Sequence, residues 1–405
     1  MTREELLARI DESACLDLLS RMVQHKSYSE TPDERVLVEF MLAEMRKLGL
    51  EAELTPVPGG RVNAVGRLHG AGGGKSLLFN GHLDTNPATE GWTVDPWAGK
   101  VDDHFIYGIG VSNMKAGDAA YFCALRTLIE AGQRLKGDVI LTYVVGELQG
   151  GVGTLALMNQ GLRADYFINS EPTDLQAVTM HAAAFVFVIE LIGNTRHLSK
   201  REEAVDAIVA ACDLIPRLNA MTFSGARSPD HARINRVHVG VVHGALSRSL
   251  QEWRPAQVAD CVRLSGSGRY ATGQTKEGAL ADLRRQLDAL EQRFPGLRTE
   301  LSTESVTGRP LMPAFEVPLD SPIVQAINRA HRAVRGTEQP TGAITPPGYY
   351  GTDAGHLQSV GGMQGVVCGP GGRYNTMPDE RVDIADYLDM VRIYLLTMLE
   401  ICEPA

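Results

Sequence analysis

Histidine and carboxylate side chains follow three apolar runs of the sequence, at points where buried strands are expected to end. His82 and Asp84 lie in "GHLDT" after the run "KSLLF", Glu147 follows "VILTYVVG", and Glu171 follows "DYFINS". In sheets of parallel strands, ligands gather beyond the carboxyl ends of the strands. The sequence therefore predicts that these four side chains share one site.

The chemistry of these residue types is metal binding and proton transfer. His82 and Asp84 are two residues apart, so an extended chain places both on one side, and a carboxylate beside a histidine is the usual partner that orients a metal-bound imidazole. The alternative is a core histidine satisfied by a neighbouring carboxylate. Glu147, in the glycine-rich turn "GELQGG", fits either a catalytic acid/base or a solvated residue at a strand end.

The elements around these residues alternate between helix and strand. Apolar residues recur at helical spacing over Leu6–Met22 and Val36–Leu48, and residues 119–132 form a further predicted helix that ends at a glycine. Residues 75–85, 137–147 and 164–173 are predicted strands. This order predicts an α/β fold, with a mixed, mostly parallel sheet flanked by helices.

A second pattern, of strands and two helices, begins near His181 and includes the long amphipathic helix "KEGALADLRRQLDALEQRF". The first pattern resumes near residues 315–334. We therefore predict that residues 1–179 and 307–405 form a catalytic domain. Residues 180–306 form an α+β domain inserted into it.

Composition excludes several classes of protein. The 405 residues carry 39 basic and 49 acidic side chains, a net charge of −10, which argues against nucleic-acid binding. No apolar run approaches the ~20 residues that a membrane span needs. The six cysteines are scattered without paired spacing, which is typical of reduced thiols. We expect a cytoplasmic protein with a small-molecule substrate.

Four segments resemble, in order and spacing, the M20 family of metallopeptidases and deacetylases: "GHLDTNP", "YGIGVSNMKAG", "GELQGGVGT" and "NSEPTD". "GTDAGH" and "GPGGRYNTMPDERV" match the C-terminal signature of that family, and "IGNTRHLS" matches its lid motif. The resemblance implies a zinc-peptidase-like catalytic domain and an inserted lid and dimerisation domain. It covers essentially the whole chain.

The resemblance also implies a role for each of the four residues at the strand ends. In the family, two metal ions, commonly zinc, share a bridging aspartate, and a glutamate acts as general base towards a bridging water. His82 and Glu171 match ligands of the first metal. Glu147 matches the base, and Asp84 matches the residue that orients His82.

Three positions depart from the family pattern, and all three concern the second metal. Asn113 replaces the bridging aspartate, Leu148 replaces a carboxylate ligand, and Thr376 falls at about the position of a histidine ligand. Leucine cannot coordinate a cation, and a hydroxyl is a poor substitute for imidazole. We therefore predict a mononuclear site with one divalent ion per chain, zinc or manganese, held by His82 and Glu171. Asn113 either ligates it or hydrogen-bonds to its water.

Substrate-side residues follow from the resemblance as well. His197 matches a lid histidine that reaches across a dimer to polarise the scissile group, the alternative being an exposed surface histidine. Arg269 matches a family arginine, and Arg254 is near it in sequence. Either arginine suits a substrate carboxylate, although a lone arginine is more often only solvated. His356, after "GTDAG", is an alternative auxiliary ligand or a substrate contact.

Together these features predict a homodimeric, metal-dependent hydrolase of a C–N bond in a small, carboxylated, non-peptide substrate. One metal-activated water attacks, and Glu147 is the general base. The reaction is either amide deacylation or aminohydrolase (deaminase) chemistry, including attack on an electron-poor aromatic amine. The rival interpretation is a non-catalytic dimeric binding protein descended from an M20 enzyme.

Overall fold

The computed structural model describes residues 1–303 and 309–405, and the chain divides into two compact units. The first unit comprises Met1–Met180, Phe315–Gly348 and Thr352–Ala405, and the second comprises His181–Ala314 and Tyr349–Gly351. The predicted domain boundary between residues 306 and 307 lies outside the described residues. Each unit has its own hydrophobic core.

Helices alternate with strands through most of the first unit. The α-helices of the described residues in both units are α1 (Arg3–Leu7), α2 (Glu12–Val23), α3 (Asp33–Lys47), α4 (Ala116–Glu130), α5 (Val152–Asn159), α6 (Ala207–Ala220), α7 (Pro229–Arg233), α8 (Lys276–Arg293), α9 (Pro322–Arg335), α10 (Ala354–Ser359) and α11 (Ile384–Ile401). Shorter helical turns, of 3-10 or π type, cover Val111–Lys115, Glu147–Gln149, Leu198–Glu203 and Pro347–Tyr349.

The strands of the described residues are mostly short. They are β1 (Glu51–Val57), β2 (Arg61–Leu68), β3 (Leu77–His82), β4 (Phe105–Tyr107), β5 (Val139–Val144), β6 (Tyr166–Asn169), β7 (Ala177–Val178), β8 (Met180–His181), β9 (Ala183–Ile192), β10 (Arg236–Ala245), β11 (Cys261–Tyr270), β12 (Arg298–Ser302), β13 (Phe315–Glu316), β14 (Thr341–Gly342), β15 (Gln364–Val367) and β16 (Arg381–Asp383).

An eight-stranded sheet in the order β1-β2-β5-β3-β6-β15-β7-β14 forms the centre of the first unit. Its middle strands β5, β3, β6 and β15 are parallel neighbours, and β1 and β2 are antiparallel. All six residues of β3 and of β5 are buried, as expected of parallel strands covered on both faces. Helix α3 packs against β1 and β2, α4 against β3, and α9 and α10 against β15, so helices flank the sheet.

One predicted helix is two in the structure. The apolar spacing over Leu6–Met22 predicts a continuous helix, but α1 ends at Leu7 and α2 begins at Glu12. The Asp11 carboxylate accepts a hydrogen bond of 3.0 Å from the Ala14 amide and so caps α2. An aspartate competes with helical hydrogen bonding inside a helix and favours the N-cap position, which explains the break.

The second unit is an antiparallel sheet in the order β10-β11-β9-β12. Its buried core combines strand residues such as Phe187 and Leu264 with Leu214 of α6 and Leu287 of α8. The amphipathic pattern of residues 276–294 corresponds to α8. Strand β10 lies at an edge of this sheet and is mostly exposed.

Two further features concern membrane spans and cysteines. Within the described ranges, we find no helix with the length and apolar character that a bilayer crossing requires. All six cysteines lie in described segments, and all six are free thiols. The cytoplasmic location stays a prediction.

A buried ladder of polar side chains joins the strands that lead to the predicted site. Asn80 of β3 donates to Thr142 Oγ1 of β5 at 3.2 Å and to Thr154 Oγ1 of α5 at 2.9 Å. Asn169 of β6 donates in turn to Asn80 Oδ1 at 2.9 Å. All four side chains are buried, so the ladder sets how these elements align immediately before His82.

We predict that Asn80→Ala lowers the free energy of unfolding by roughly 2–4 kcal/mol, because it removes three buried hydrogen bonds to side chains on three elements. Urea unfolding followed by circular dichroism measures the change. Asn159→Ala is the matched control, since Asn159 is exposed at the end of α5. Equal stability of the two variants would contradict the role of the ladder.

Candidate metal centre

The last residue of β3 presents its imidazole to a cluster of oxygen atoms. His82 is 2% exposed, and its Nδ1 lies 2.9 Å from the main-chain oxygen of Asp84. A carbonyl oxygen can only accept, so Nδ1 carries the proton of that bond. Nε2 is therefore the ring nitrogen that is available to a metal.

Three side-chain oxygens face His82 Nε2. Asn113 Oδ1 is at 3.2 Å, Glu171 Oε1 at 3.6 Å and Glu147 Oε2 at 4.0 Å. One ligand atom from each of His82, Glu147 and Glu171 lies within 4.8 Å of the others. A nitrogen and several oxygens that converge in this way form a donor set for a divalent cation.

Charge in this cluster is unbalanced without a cation. Burial and the neighbouring Glu171 raise the pKa of Glu147, and burial raises the pKa of Glu171. Burial by itself would lower the pKa of His82, but the surrounding carboxylates, Glu171 first, raise it to about 10. The carboxylates thus favour a positive charge at His82, and a bound divalent ion supplies that charge as a proton would.

The Asp84 carboxylate holds the turn that carries Glu147. Its Oδ1 accepts from the amides of Gly146 at 2.8 Å and Glu147 at 3.2 Å, and its Oδ2 accepts from the Leu148 amide at 3.3 Å. Successive amides that converge on one anion form a nest. Asp84 was predicted to orient His82 through its carboxylate, but Oδ1 is 3.6 Å from Nδ1, and the Asp84 main chain makes the closer contact.

The two residues that replace ligands of the second metal line a cavity beside this cluster. Leu148 and Thr376 share a cavity of about 420 Å³ with His82 and Asn113. Leu148 gives it an apolar wall, and Trp92 lies on the same cavity. Residues 148 and 376 therefore border a cavity whose lining combines apolar groups with Asp84 and Glu380.

Asn113 is held by a residue that the sequence patterns did not single out. Glu380 Oε1 accepts from the amides of Ser112 at 2.9 Å and Asn113 at 3.1 Å. Burial raises the pKa of the Glu380 carboxyl to about 7, although these amides oppose the change. Glu380 lies four residues after Thr376 in "TMPDE". This position close to Thr376 was the available signal that Glu380 lies near the site.

His356 lies against the turn of Glu147. Its Nε2 is 2.8 Å from the main-chain oxygen of Gly150, so this nitrogen donates to the turn. Its Nδ1 is buried and makes no hydrogen bond among the described residues. A Cβ on Gly151 would lie 2.7 Å from the ring, which explains why glycine occupies that position.

The remaining predicted site residues belong to the second unit. His197 is exposed, with Nδ1 at 3.0 Å from Ser199 Oγ, and Arg254 is exposed on a cavity of about 640 Å³. Arg269 is more buried: its Nε donates to Tyr349 O at 3.1 Å and its Nη1 to Ser267 Oγ at 2.6 Å. These contacts describe each residue inside its own unit, and their predicted roles towards substrate stay predictions.

The protein has an α/β fold, and a buried imidazole faces carboxylates at the ends of its parallel strands. These side chains form a candidate metal site. The chain belongs to peptidase family M20/M25/M40, whose sequence profile matches residues 78–400. It is 28% identical to the acetylornithine deacetylase of Yersinia pestis over 360 residues, which cover 86% of each chain. The identity to the acetylornithine deacetylase of Salmonella typhimurium is also 28%, over 358 residues and 86% of each chain.

Solved structures share the fold. A tripeptidase of Staphylococcus aureus superposes with a TM-score of 0.76 at 22% identity, covering 97% of this chain and 99% of that one. An M20 family metallo-carboxypeptidase of Sulfolobus solfataricus gives a TM-score of 0.73 at 17% identity, with coverage of 95% and 98%. The predicted family, the α/β fold and the class, a metal-dependent hydrolase, are confirmed.

We predict that Asp84→Asn lowers the free energy of unfolding of the metal-free protein by roughly 2–3 kcal/mol, because an amide places a donor against the turn's own N–H donors. Denaturant unfolding in the presence of a chelator measures the change. Asp103→Asn, at an exposed position, is the control. An unchanged midpoint for Asp84→Asn would show that the nest contributes nothing.

Proposed function

We propose that this protein hydrolyses a C–N bond of a small substrate at a site that holds one divalent metal ion per chain. The observation that carries the proposal is the convergence of Asn113 Oδ1, Glu171 Oε1 and Glu147 Oε2 on His82 Nε2. Leu148, at a position matched to the second metal, offers no donor atom and lines the adjacent cavity.

The donor set fits one divalent ion and is compatible with more than one metal. His82 and Glu171 would hold it, and the neutral Asn113 would complete the set through its carbonyl oxygen. One imidazole with oxygen donors suits Zn²⁺ or Mn²⁺. Such an ion, when bound, supplies a Lewis acid that polarises the substrate and lowers the pKa of water towards neutrality.

Glu147 is the residue that moves the proton. Its carboxylate oxygen lies farther from His82 Nε2, at 4.0 Å, than the oxygens of Asn113 and Glu171, which supports a role as base rather than as ligand. Burial raises its pKa, and enzymes tune the pKa of a catalytic carboxyl group by burial in this way. Glu147 takes a proton from the attacking water and returns it to the leaving nitrogen.

The substrate is an amide, or an amidine or electron-poor aromatic amine that loses ammonia. In each case water adds to an electrophilic carbon and nitrogen leaves, so the same base serves. Among the described residues that line the cavity there is no lysine or arginine. The predicted carboxylate-binding role of Arg269 is supported within its own unit, where its Nη2 group makes no hydrogen bond in the described segments, whereas Nε and Nη1 do.

The second unit carries a candidate dimer surface. Val241 and Val242 are exposed on the edge strand β10, and Ile208 and Val209 are exposed on α6, which packs against β10. An edge strand presents unpaired main-chain groups to a second strand, and exposed aliphatic residues beside it favour burial. These features support a homodimer formed through the inserted unit, with His197 acting in the lid.

We expect purified protein to hold about one equivalent of zinc or manganese per chain, and we expect Glu147→Gln to keep that ion while losing catalysis. The amide cannot accept a proton from water, and loss of a general base costs roughly 10²–10⁴-fold in kcat. Elemental analysis measures the ion, and a screen for ammonia or amine release measures turnover.

Glu90→Gln, at an exposed position of the same unit, is the matched control and should match the parent in both assays. Full activity of Glu147→Gln would remove Glu147 from the mechanism. Two tightly bound ions would contradict the mononuclear site, and absence of metal would favour the non-catalytic binding protein.

The pattern of replaced ligands also predicts a gain of function. We expect the triple variant Asn113→Asp, Leu148→Glu, Thr376→His to bind two ions per chain, because it returns a bridging carboxylate and two donors to the cavity. Thr376 has a φ of 56°, a conformation that histidine adopts more readily than a β-branched residue. Elemental analysis of the folded variant tests this.

The control is Leu148→Glu alone, which lacks the bridge and the imidazole and should stay near one ion. Circular dichroism establishes that the triple variant is folded. A folded triple variant with a single ion would contradict the interpretation that Asn113, Leu148 and Thr376 exclude a second metal.

A further inference from the structure

A buried ion pair lies behind the turn of Glu147 and is not part of the metal cluster. Arg61 of β2 donates to Glu34 of α3 through Nε at 2.9 Å and through Nη2 at 2.6 Å. The side chains are 19% and 3% exposed, so the pair is shielded and its two-pronged geometry is well defined. Arg61 uses its remaining group, Nη1, to donate to Gln149 Oε1 at 3.3 Å.

Gln149 connects Arg61 to Asp84 through the hydroxyl group of Ser29. Its Nε2 donates to Ser29 Oγ at 2.5 Å, and the Ser29 hydroxyl donates to Asp84 Oδ2 at 2.8 Å. The same carboxylate oxygen accepts the Leu148 amide, and Leu148 precedes Gln149 in the chain. These hydrogen bonds and the peptide bond between Leu148 and Gln149 form a closed ring. Each hydrogen bond in the ring is donated in the direction of the Asp84 carboxylate, so each bond polarises the next.

These external contacts add to the turn's own backbone hydrogen bonds, such as that from the Gly151 amide to Gly146 O at 3.0 Å, and they restrain a backbone that is otherwise permissive. Glycines flank it, with φ values of 79° at Gly146, 84° at Gly150 and 76° at Gly151, and glycine restrains the chain least. A Cβ on Gly146 would lie 2.9 Å from Arg61 Nη1, so the guanidinium covers the start of the turn. Gln149 holds its end.

We propose that Gln149, anchored by Arg61, is the positioning residue that sets the orientation of Glu147 towards His82. The inference rests on the proposed role of Glu147 as the base. The Asp84 carboxylate holds the turn by its amides, and the Gln149 side chain fixes the far end to Ser29. With both in place, the Glu147 carboxylate faces the cluster. Without Gln149 the ring opens at Ser29, and Arg61 loses its hydrogen bond to the turn.

Hydrogen exchange measured by mass spectrometry tests the structural part without a substrate. We compare wild type with Gln149→Met, which keeps the length of the side chain but neither donates to Ser29 nor accepts from Arg61. We expect the amides of residues 146–148 to exchange about tenfold faster, because exchange reports local opening. Peptides from β9 should not change.

Gln160→Met is the matched control. Gln160 also donates one hydrogen bond, to Pro56 O at 2.7 Å, but it follows the end of α5 and is exposed. This variant should leave the amides of residues 146–148 as in wild type. Unchanged exchange in Gln149→Met would overturn the proposal, as would an equal acceleration in both variants.

Kinetics test the positioning part. Gln149→Glu keeps the shape and still accepts from Arg61, but its carboxylate cannot donate to Ser29. We expect about a tenfold lower kcat, with KM and metal content unchanged, on the amide that wild type hydrolyses fastest. The loss should disappear in the Glu147→Gln background, because residues that act through one another are not additive.

The outcomes separate this proposal from the proposed function. Faster exchange at the turn with an unchanged kcat would overturn positioning while leaving the base in place. Full activity of Glu147→Gln would remove the proposed base, whatever the exchange result. A loss of activity in Gln149→Glu that persists in the Glu147→Gln background would indicate a general loss of structure and would also overturn positioning.

Discussion

The arrangement of this site depends on one interaction, the binding of the Asp84 carboxylate by three consecutive amides of the turn at Gly146–Leu148. The main-chain oxygen of the same residue bonds the His82 ring. One residue thereby ties the imidazole at the end of β3 to the turn that follows β5. Since β3 and β5 are parallel neighbours, the sheet brings the two strand ends together, and Asp84 holds the turn after β5 against the imidazole.

The charges of the cluster support the proposed single-ion site. Asn113 and Leu148, which stand where the family pattern has acids, carry no negative charge. Buried carboxylates without a compensating cation are costly, so the absence of acids at these two positions is physically linked to the proposed absence of a second ion. Glu147 and Glu171 lie beside His82, where one cation would compensate them. The cavity next to them has an apolar wall at Leu148.

Much of the architecture was accessible from the sequence. Buried runs such as residues 75–85 and 137–147 correspond to β3 and β5, because strands covered on both faces are apolar throughout. The resemblance to the M20 family was also readable, since its motifs are short, ordered and rich in residues with metal chemistry. The prediction of one continuous helix over Leu6–Met22 was wrong, because the spacing of apolar residues does not reveal an N-cap such as Asp11. The inserted unit was visible as a change of pattern.

The family, the α/β class, the candidate ligands His82 and Glu171 and the lack of a donor at Leu148 could be predicted without coordinates, because they depend on residue type and order. The folded chain was needed to show which atoms of Asp84 contact His82 and which contact the turn. It was also needed to show that Ser29, Arg61 and Gln149 meet behind Glu147. Those residues are separated along the chain and carry no motif. Their association arises from the packing of α3, β2 and β5, which no local pattern encodes.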